Sequence, residues 1–409
     1  MERREFLRHA AAGAAVAAAG RLPAVLAGEV APHSRIGRNE RPSMRYARLG
    51  RTNLMVSRIV HGSLHTTRER IPLLARLYEG GVNLFDTSHV YGGGRSEEAI
   101  GEFLAQDGRR KSAFICTKMD IRAQLQAKQD PYKAAMERAE GSLRRLRTDH
   151  VDVMMLHGCT TLFDYVANEE WLRAAEDLKR QGKARFIGLS EHARPAEVLQ
   201  LAVTSGRYDV AMVAFSLVKG TWGSLGRTDI PTMQPALEAA RKADVGIIVM
   251  KAGMNAPQIV AQVKEPRLQK KGYSPFQLCY RYVLDIPGVA AVTCGMVNMS
   301  QAEENLAVPT LELAVEEREG LRRAAAAGGV CGFCGTCLDA CPARVAVQDI
   351  LRFHGYYRHG HRAEARAEYA SLPPERQAAA CRGCGACEAA CPARVPIRRS
   401  LQEAHRALA

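Results

Sequence analysis

From residue 45 onward, short apolar runs rich in β-branched residues alternate with amphipathic stretches, and they do so eight times. The runs are 58–62, 82–86, 113–118, 151–157, 184–190, 210–215, 245–251 and 289–295. Runs this short and this uniformly apolar suit strands buried on both faces. The intervening stretches, such as 71–79, 97–105, 131–146 and 170–181, carry apolar residues at i, i+3 and i+4 and read as helices laid over those strands. Parallel strands need crossovers of this kind. Eight βα units over about 260 residues point to an α/β fold, a (β/α)8 TIM barrel over 45–310. Residues 44–56 hold two short runs around a turn at 50–53, which predicts a hairpin closing the barrel floor. Residues 28–44, polar with Pro32, His33, Ser34 and Pro42, read as a linker.

Beyond a connecting helix within 311–330 (best periodicity 311–327), one cysteine pattern occurs twice. The copies are Cys331-Gly-Phe-Cys334-Gly-Thr-Cys337-Leu-Asp-Ala-Cys341-Pro342 and Cys381-Arg-Gly-Cys384-Gly-Ala-Cys387-Glu-Ala-Ala-Cys391-Pro392. Each is C-x2-C-x2-C-x3-C-P, the run that holds a cubane [4Fe–4S] cluster. Three thiolates two residues apart on a tight loop face one small cluster, and the fourth starts a helical turn away. In two-cluster proteins that fourth cysteine serves the other cluster. The expected ligand sets are therefore Cys331, Cys334, Cys337, Cys391 and Cys381, Cys384, Cys387, Cys341. Zinc takes four ligands, usually in separated pairs, and a repeated run of four with a trailing proline argues against it. The 39 residues between Cys341 and Cys381 exceed what a compact ferredoxin needs and include a helical stretch near 345–357. A small, mainly helical, ferredoxin-like two-cluster domain is expected over 331–409. The other cysteines, Cys116, Cys159, Cys279 and Cys294, sit in or beside apolar segments and read as buried thiols rather than disulfides.

The chain begins Met1-Glu2-Arg3-Arg4-Glu5-Phe6-Leu7-Arg8, followed by an Ala/Gly-rich stretch and Leu22-Pro23-Ala24-Val25-Leu26-Ala27. Paired arginines, a weak apolar core and a small-x-small end make a twin-arginine export signal over 1–27, with cleavage after Ala27. That route exports folded proteins, which suits clusters assembled before export. The implied location is periplasmic and one implied partner is the twin-arginine machinery.

No 18-residue apolar run occurs, so no membrane-spanning helix is expected. The formal charge is +14, of which the signal supplies four Arg against Glu2 and Glu5. Two cubanes with four thiolates each bring the mature balance to about +8. Residues 331–409 hold eleven Arg and no Lys against seven acidic residues. No basic helix with interleaved aromatics accompanies this, so nucleic acid is not an expected partner. An acidic redox protein is compatible with the charge.

Functional groups of such barrels stand at the C-terminal ends of strands. There the sequence offers Asp86, Tyr91 five residues on, Lys118 and His157. Reducing a carbonyl needs a hydride source on one side and a proton donor at the developing alkoxide. Free tyrosine, with a pKa of about 10, is a poor acid–base group at neutral pH. A neighbouring ammonium stabilises the phenolate, a carboxylate aims that ammonium, and an imidazole can hydrogen-bond the substrate oxygen.

The local sequence Val-Asn-Leu-Phe-Asp86-Thr-Ser-His-Val-Tyr91-Gly-Gly-Gly-Arg-Ser-Glu-Glu closely resembles the aldo-keto reductases, over about residues 45–310. The resemblance implies that Tyr91 donates the proton, Lys118 lowers its pKa, Asp86 holds Lys118 and His157 orients the carbonyl. It also implies NAD(P), with Ser190 in Ile187-Gly-Leu-Ser190 on the carboxamide, and Glu304 and Asn305 after Gly295 on the adenine. Lys251 is a candidate phosphate contact. The chain departs from the family pattern at three places: Glu191 replaces an Asn, Met212 a Gln and Gln301 an Arg. These departures put NADPH preference in doubt. One subgroup of this family carries a C-terminal cluster domain with an Ile- or Val-containing helix after the second run, as at Val395-Pro-Ile397.

The reading that follows is an oxidoreductase acting on a small carbonyl or alcohol, its two [4Fe–4S] clusters relaying electrons. The second reading is an iron–sulfur electron-transfer protein that keeps the barrel as a scaffold. The substitutions favour the second; the intact tetrad opposes it. A tagged chain should fractionate outside the inner membrane, and recovery in the cytosol alone contradicts the export reading.

Overall fold

Eight parallel strands close into a barrel: β4 (Ile59–Gly62), β5 (Leu84–Asp86), β6 (Phe114–Met119), β7 (Val151–His157), β8 (Ala184–Glu191), β9 (Val210–Ala214), β10 (Gly246–Met250) and β11 (Val289–Gly295). The computed structural model describes residues 35–121, 124, 127–157, 169–192, 195–217, 230–327, 329–332, 336–358 and 360–409. The expected signal at 1–27, Cys159 and the ligand Cys334 lie outside the described residues. Each barrel strand is followed by helix, beginning with Ile71–Glu79, Arg95–Leu104 and Pro131–Leu146.

Period-two alternation explains how the layers separate. On β6, Phe114 and Cys116 point into the barrel, while Ile115 and Met119 join the core shared with the helices. On β7, Val153 and Met155 point inward, and Met154 and Leu156 join the outer core. The barrel is thus filled by side chains and has no open bore.

The floor is more elaborate than a hairpin. Antiparallel β2 (Tyr46–Arg48) and β3 (Leu54–Ser57) are joined by a third strand, β1 (Ile36–Gly37), parallel to β3. Leu49, Leu54 and Val56 plug the barrel bottom. Gly50 makes the turn at φ +49°, where a Cβ would lie 2.3 Å from the Gly246 amide. The linker expected over 28–44 therefore requires correction for 36–44. Ile36 pairs with Leu54, Met44 is buried, and Arg38 reaches under the barrel to the Ala113 carbonyl at 2.7 Å. A polar composition concealed this, because the segment is anchored by its arginine and its backbone rather than by an apolar stripe.

The connecting helix begins at Val315, four residues later than the periodicity predicts. Glu317 sets that start by accepting the Ala314 amide at 2.7 Å. The following domain is mainly helical. Val347–Arg358, Arg362–Ala370 and Ile397–Leu408 enclose a core that includes Ile350, Phe353, Tyr369 and Leu401. Its two cysteine runs repeat in conformation. Arg344 and Arg394, three residues after Cys341 and Cys391, both turn the chain at positive φ (54° and 53°), and a helix follows each. Among the described residues no helix is long and apolar enough to cross a membrane.

Asp152 on β7 ties several elements together. Its fully buried carboxylate takes the Ile115 amide at 3.0 Å, Arg185 at 2.7 Å, Arg110 at 3.2 Å and Arg38 at 3.3 Å. Asp152→Ala leaves three guanidinium groups around an uncompensated site. The expected cost is about 3 kcal/mol, read as a lowered thermal midpoint of the cluster-loaded protein.

Candidate active site and cluster centre

The same alternation that fills the barrel sets the site. Inward positions run Leu84 then Asp86 on β5, Phe114, Cys116 then Lys118 on β6, and Val153, Met155 then His157 on β7. The apolar column ends at the C-terminal rim, and its top rung is polar on three adjacent strands. Tyr91 arrives from the loop after β5. Gly92, Gly93 and Gly94 all have positive φ there (59°, 67° and 96°), which lets the chain fold back at once into Arg95–Leu104.

The structure brings all four predicted residues together. Lys118 Nζ donates to Asp86 Oδ1 at 2.5 Å, to the Thr87 carbonyl at 2.8 Å and to the Tyr91 hydroxyl at 3.4 Å. Asp86 and Lys118 are almost wholly buried. The Tyr91 and His157 rings pack edge to face, 5.6 Å between centroids. Burial opposes the Lys118 ammonium, yet Asp86 and Tyr91 outweigh it and the lysine is held above its ordinary pKa. Burial raises the Asp86 carboxyl, with Lys118 pulling the other way.

Tyr91 departs from the simplest expectation. Burial raises its phenol, and Lys118 offsets that rise without reversing it. The resting phenol is thus protonated across neutral pH. Sequence reading passed over Ser88, whose Oγ lies 3.0 Å from His157 Nδ1 and so orients the imidazole. Its only signal was its place between Asp86 and Tyr91.

A cavity of about 480 Å³ opens beside Tyr91 and Asp86. Lys251, Gly295, Glu304 and Asn305 line it, as does Met212. Ser190 does not. In register between His157 and Met212, it is buried, and its hydroxyl has no hydrogen-bond partner among the described residues. Glu304 accepts from Ser274 Oγ. Asn305 Oδ1 and Gln258 Oε1 are buried on this cavity without a partner among the described residues. Buried acceptors of this kind call for a donor. A dinucleotide, whose amide and amino groups donate, fits these acceptors.

In the cluster domain, Cys381, Cys384 and Cys387 line one small cavity with Cys341, which belongs to the other run. Cys331, Cys337 and Cys391 pack on the same domain core, and Cys391 Sγ accepts the Val395 amide at 3.4 Å. Among the described residues no three His, Cys, Asp or Glu side chains converge as ligands of a single ion would. Cys116, Cys279 and Cys294 are buried free thiols.

Residues 61–253 match the Aldo/keto reductase family, and residues 328–395 match the 4Fe-4S dicluster domain. The first match covers most of the barrel. The oxidoreductase YqkF of Bacillus subtilis is 33% identical over 181 residues, 42% of this chain and 57% of that protein. The aldo-keto reductase str7 of Strobilurus tenacellus is 26% identical over 306 residues, 69% of this chain and 87% of that protein. In three dimensions, the holo form of an aldo-keto reductase from Bacillus halodurans superposes with a TM-score of 0.54 at 25% identity, covering 69% of this chain and 96% of that one. The chain spans about half the length of several curated relatives it matches. The dicluster match supplies iron–sulfur clusters as the cofactor class of the C-terminal domain.

Sharing of Cys341 with the second run is testable by iron counts. Adding Cys384→Ser to Cys341→Ser should remove no further iron. Adding Cys331→Ser should remove the remaining half.

Proposed function

We propose that this protein is an exported oxidoreductase that interconverts a small carbonyl compound and its alcohol at the barrel rim, with two [4Fe–4S] clusters relaying electrons to or from a redox protein. The observation that carries this is the hydrogen-bonded chain Asp86–Lys118–Tyr91, at 2.5 and 3.4 Å, beside His157 and open to the cavity.

Tyr91 holds the proton that the developing alkoxide needs, and Lys118 stabilises the phenolate it leaves. Asp86 keeps Lys118 charged and aimed. His157, oriented by Ser88, hydrogen-bonds the substrate oxygen and steadies its charge. Gly295, Glu304, Asn305 and Lys251 would hold a nicotinamide dinucleotide, with Ser190 close behind its carboxamide end. Such a cofactor supplies hydride when bound, and each cubane passes one electron, so two clusters match one two-electron step. The four cysteines around the cavity at Cys341 support one cluster, and the Cys331 run with Cys391 supports the other. The paired arginines Arg3 and Arg4 support export of the folded, cluster-loaded protein by the twin-arginine machinery.

Tyr91→Phe should lower turnover by about 10²–10⁴-fold while iron content and nucleotide binding persist. Unaltered turnover in that variant would instead favour the scaffold reading, for which the substitutions Glu191, Met212 and Gln301 speak.

The pH dependence has a defined sign. Because the Tyr91 pKa is raised, carbonyl reduction should hold across neutral pH and fall only as pH climbs through that raised value. Alcohol oxidation needs the phenolate and should rise with pH. Initial rates measured in both directions check this.

A further inference from the structure

We propose that the cluster domain straps the dinucleotide cleft, so that the nicotinamide cofactor is a resident group rather than one exchanged at each turnover. This rests on the reading that the cleft takes such a cofactor.

The cleft is not built by the barrel alone. Leu351, Arg352, Gly355 and Tyr356, from helix Val347–Arg358, form one of its walls, and His361 extends that wall. Contacts pin this wall along the length of the cleft. At the middle, the Tyr356 hydroxyl lies 3.3 Å from Lys251 Nζ, and the lysine also stands 5.8 Å from the ring centroid. Lys251 is the candidate phosphate contact, so the tyrosine sits where the pyrophosphate would pass. At the far end, Gly360 (φ +91°) lies against Gln301. A Cβ there would come within 3.1 Å of Gln301 Nε2. Gln301 occupies the position at which family members place an arginine on the cofactor.

Further links on both flanks tie the strap to the barrel. Arg70, just before helix Ile71–Glu79, forms a 2.6 Å ion pair with Glu364, both side chains about three-quarters buried. Beside it the His65 and His361 rings pack 5.3 Å apart, with burial holding both imidazoles below their ordinary pKa and therefore neutral. On the other flank, Asn255 Nδ2 donates to the Cys331 carbonyl at 2.7 Å, which fixes the first cysteine run to the loop after β10.

The acceptors Asn305 Oδ1 and Gln258 Oε1, without a partner among the described residues, face this same cavity. On the side formed by helix Val347–Arg358, a ligand that satisfied them would lie against Tyr356 and His361. Contacts that such a wall makes with a bound ligand act chiefly on its dissociation rate.

The test uses the full chain, purified anaerobically with its iron. After desalting, the protein is denatured and the released nucleotide identified. Its exchange against an excess of isotopically labelled NAD and NADP is then timed. Near-stoichiometric nucleotide in the desalted protein, with at least tenfold faster exchange in Tyr356→Ala and Glu364→Ala at unchanged iron content, is the expected result. Tyr356→Phe, which keeps the ring over Lys251, should stay nearer the parent. Loss of nucleotide from the parent on desalting, or equal exchange rates in parent and variants, overturns the strap. A chain that holds no nucleotide and takes up neither form on addition overturns the underlying cofactor reading instead.

Discussion

A lysine ammonium buried at the barrel rim is the constraint on which the site depends. Moving an ion of that size out of water costs several kcal/mol even after relaxation. The Asp86 carboxylate and the Thr87 carbonyl offset that cost, and both belong to the segment that leads to Tyr91. The pair exists only because β5, β6 and β7 are neighbours in fixed register, with Asp86 opposite Cys116 and Lys118 opposite Met155. A one-residue slip of β6 would turn Lys118 into the apolar layer beneath the helices. The ion pair and the strand order therefore specify each other.

That arrangement also decides how the phenol behaves. A tyrosine beside an ammonium on a protein surface would become more acidic. Here the apolar surroundings needed to exclude water push Tyr91 the other way, and Lys118 only moderates the rise. The result suits a proton donor: the phenol keeps its proton until charge develops on the oxygen it faces, and the ammonium then stabilises the phenolate. Acidity in the resting state is less useful than stabilisation available at the moment of transfer.

The cluster domain obeys a comparable logic of shared parts. Cys341 from the first run lines the cavity of the second, and Gly329 donates to the Ala393 carbonyl at 2.7 Å, linking the segments that flank the two runs. Neither copy of the motif is a self-sufficient unit. The domain is also bound to the barrel through contacts with the segments after β4 and after β10, so the walls of the cavity come from both matched domains.

Periodicity made most of this legible. Every barrel strand lies within a residue or two of the run that predicted it, because a strand buried on both faces must be continuously apolar. The tetrad was legible for the same reason. Asp86, Lys118 and His157 each interrupt an apolar run at its last inward position, the rim at which such barrels carry functional groups. The spacing of the cysteines by itself announced two clusters. Residues 36–44 escaped notice because a two-residue strand and one reaching arginine leave no pattern. Ser88, Tyr356, Gly360 and His361 carried no local signal either, and Ser190, expected at the carboxamide, is buried and does not line the cavity. The sequence alone determined which elements form and which polar groups cap them, since hydrophobic alternation is a local property of the chain. Only the tertiary structure decided that a distant helix walls the cleft and that residues 36–44 join the barrel floor, because those contacts depend on how finished elements dock.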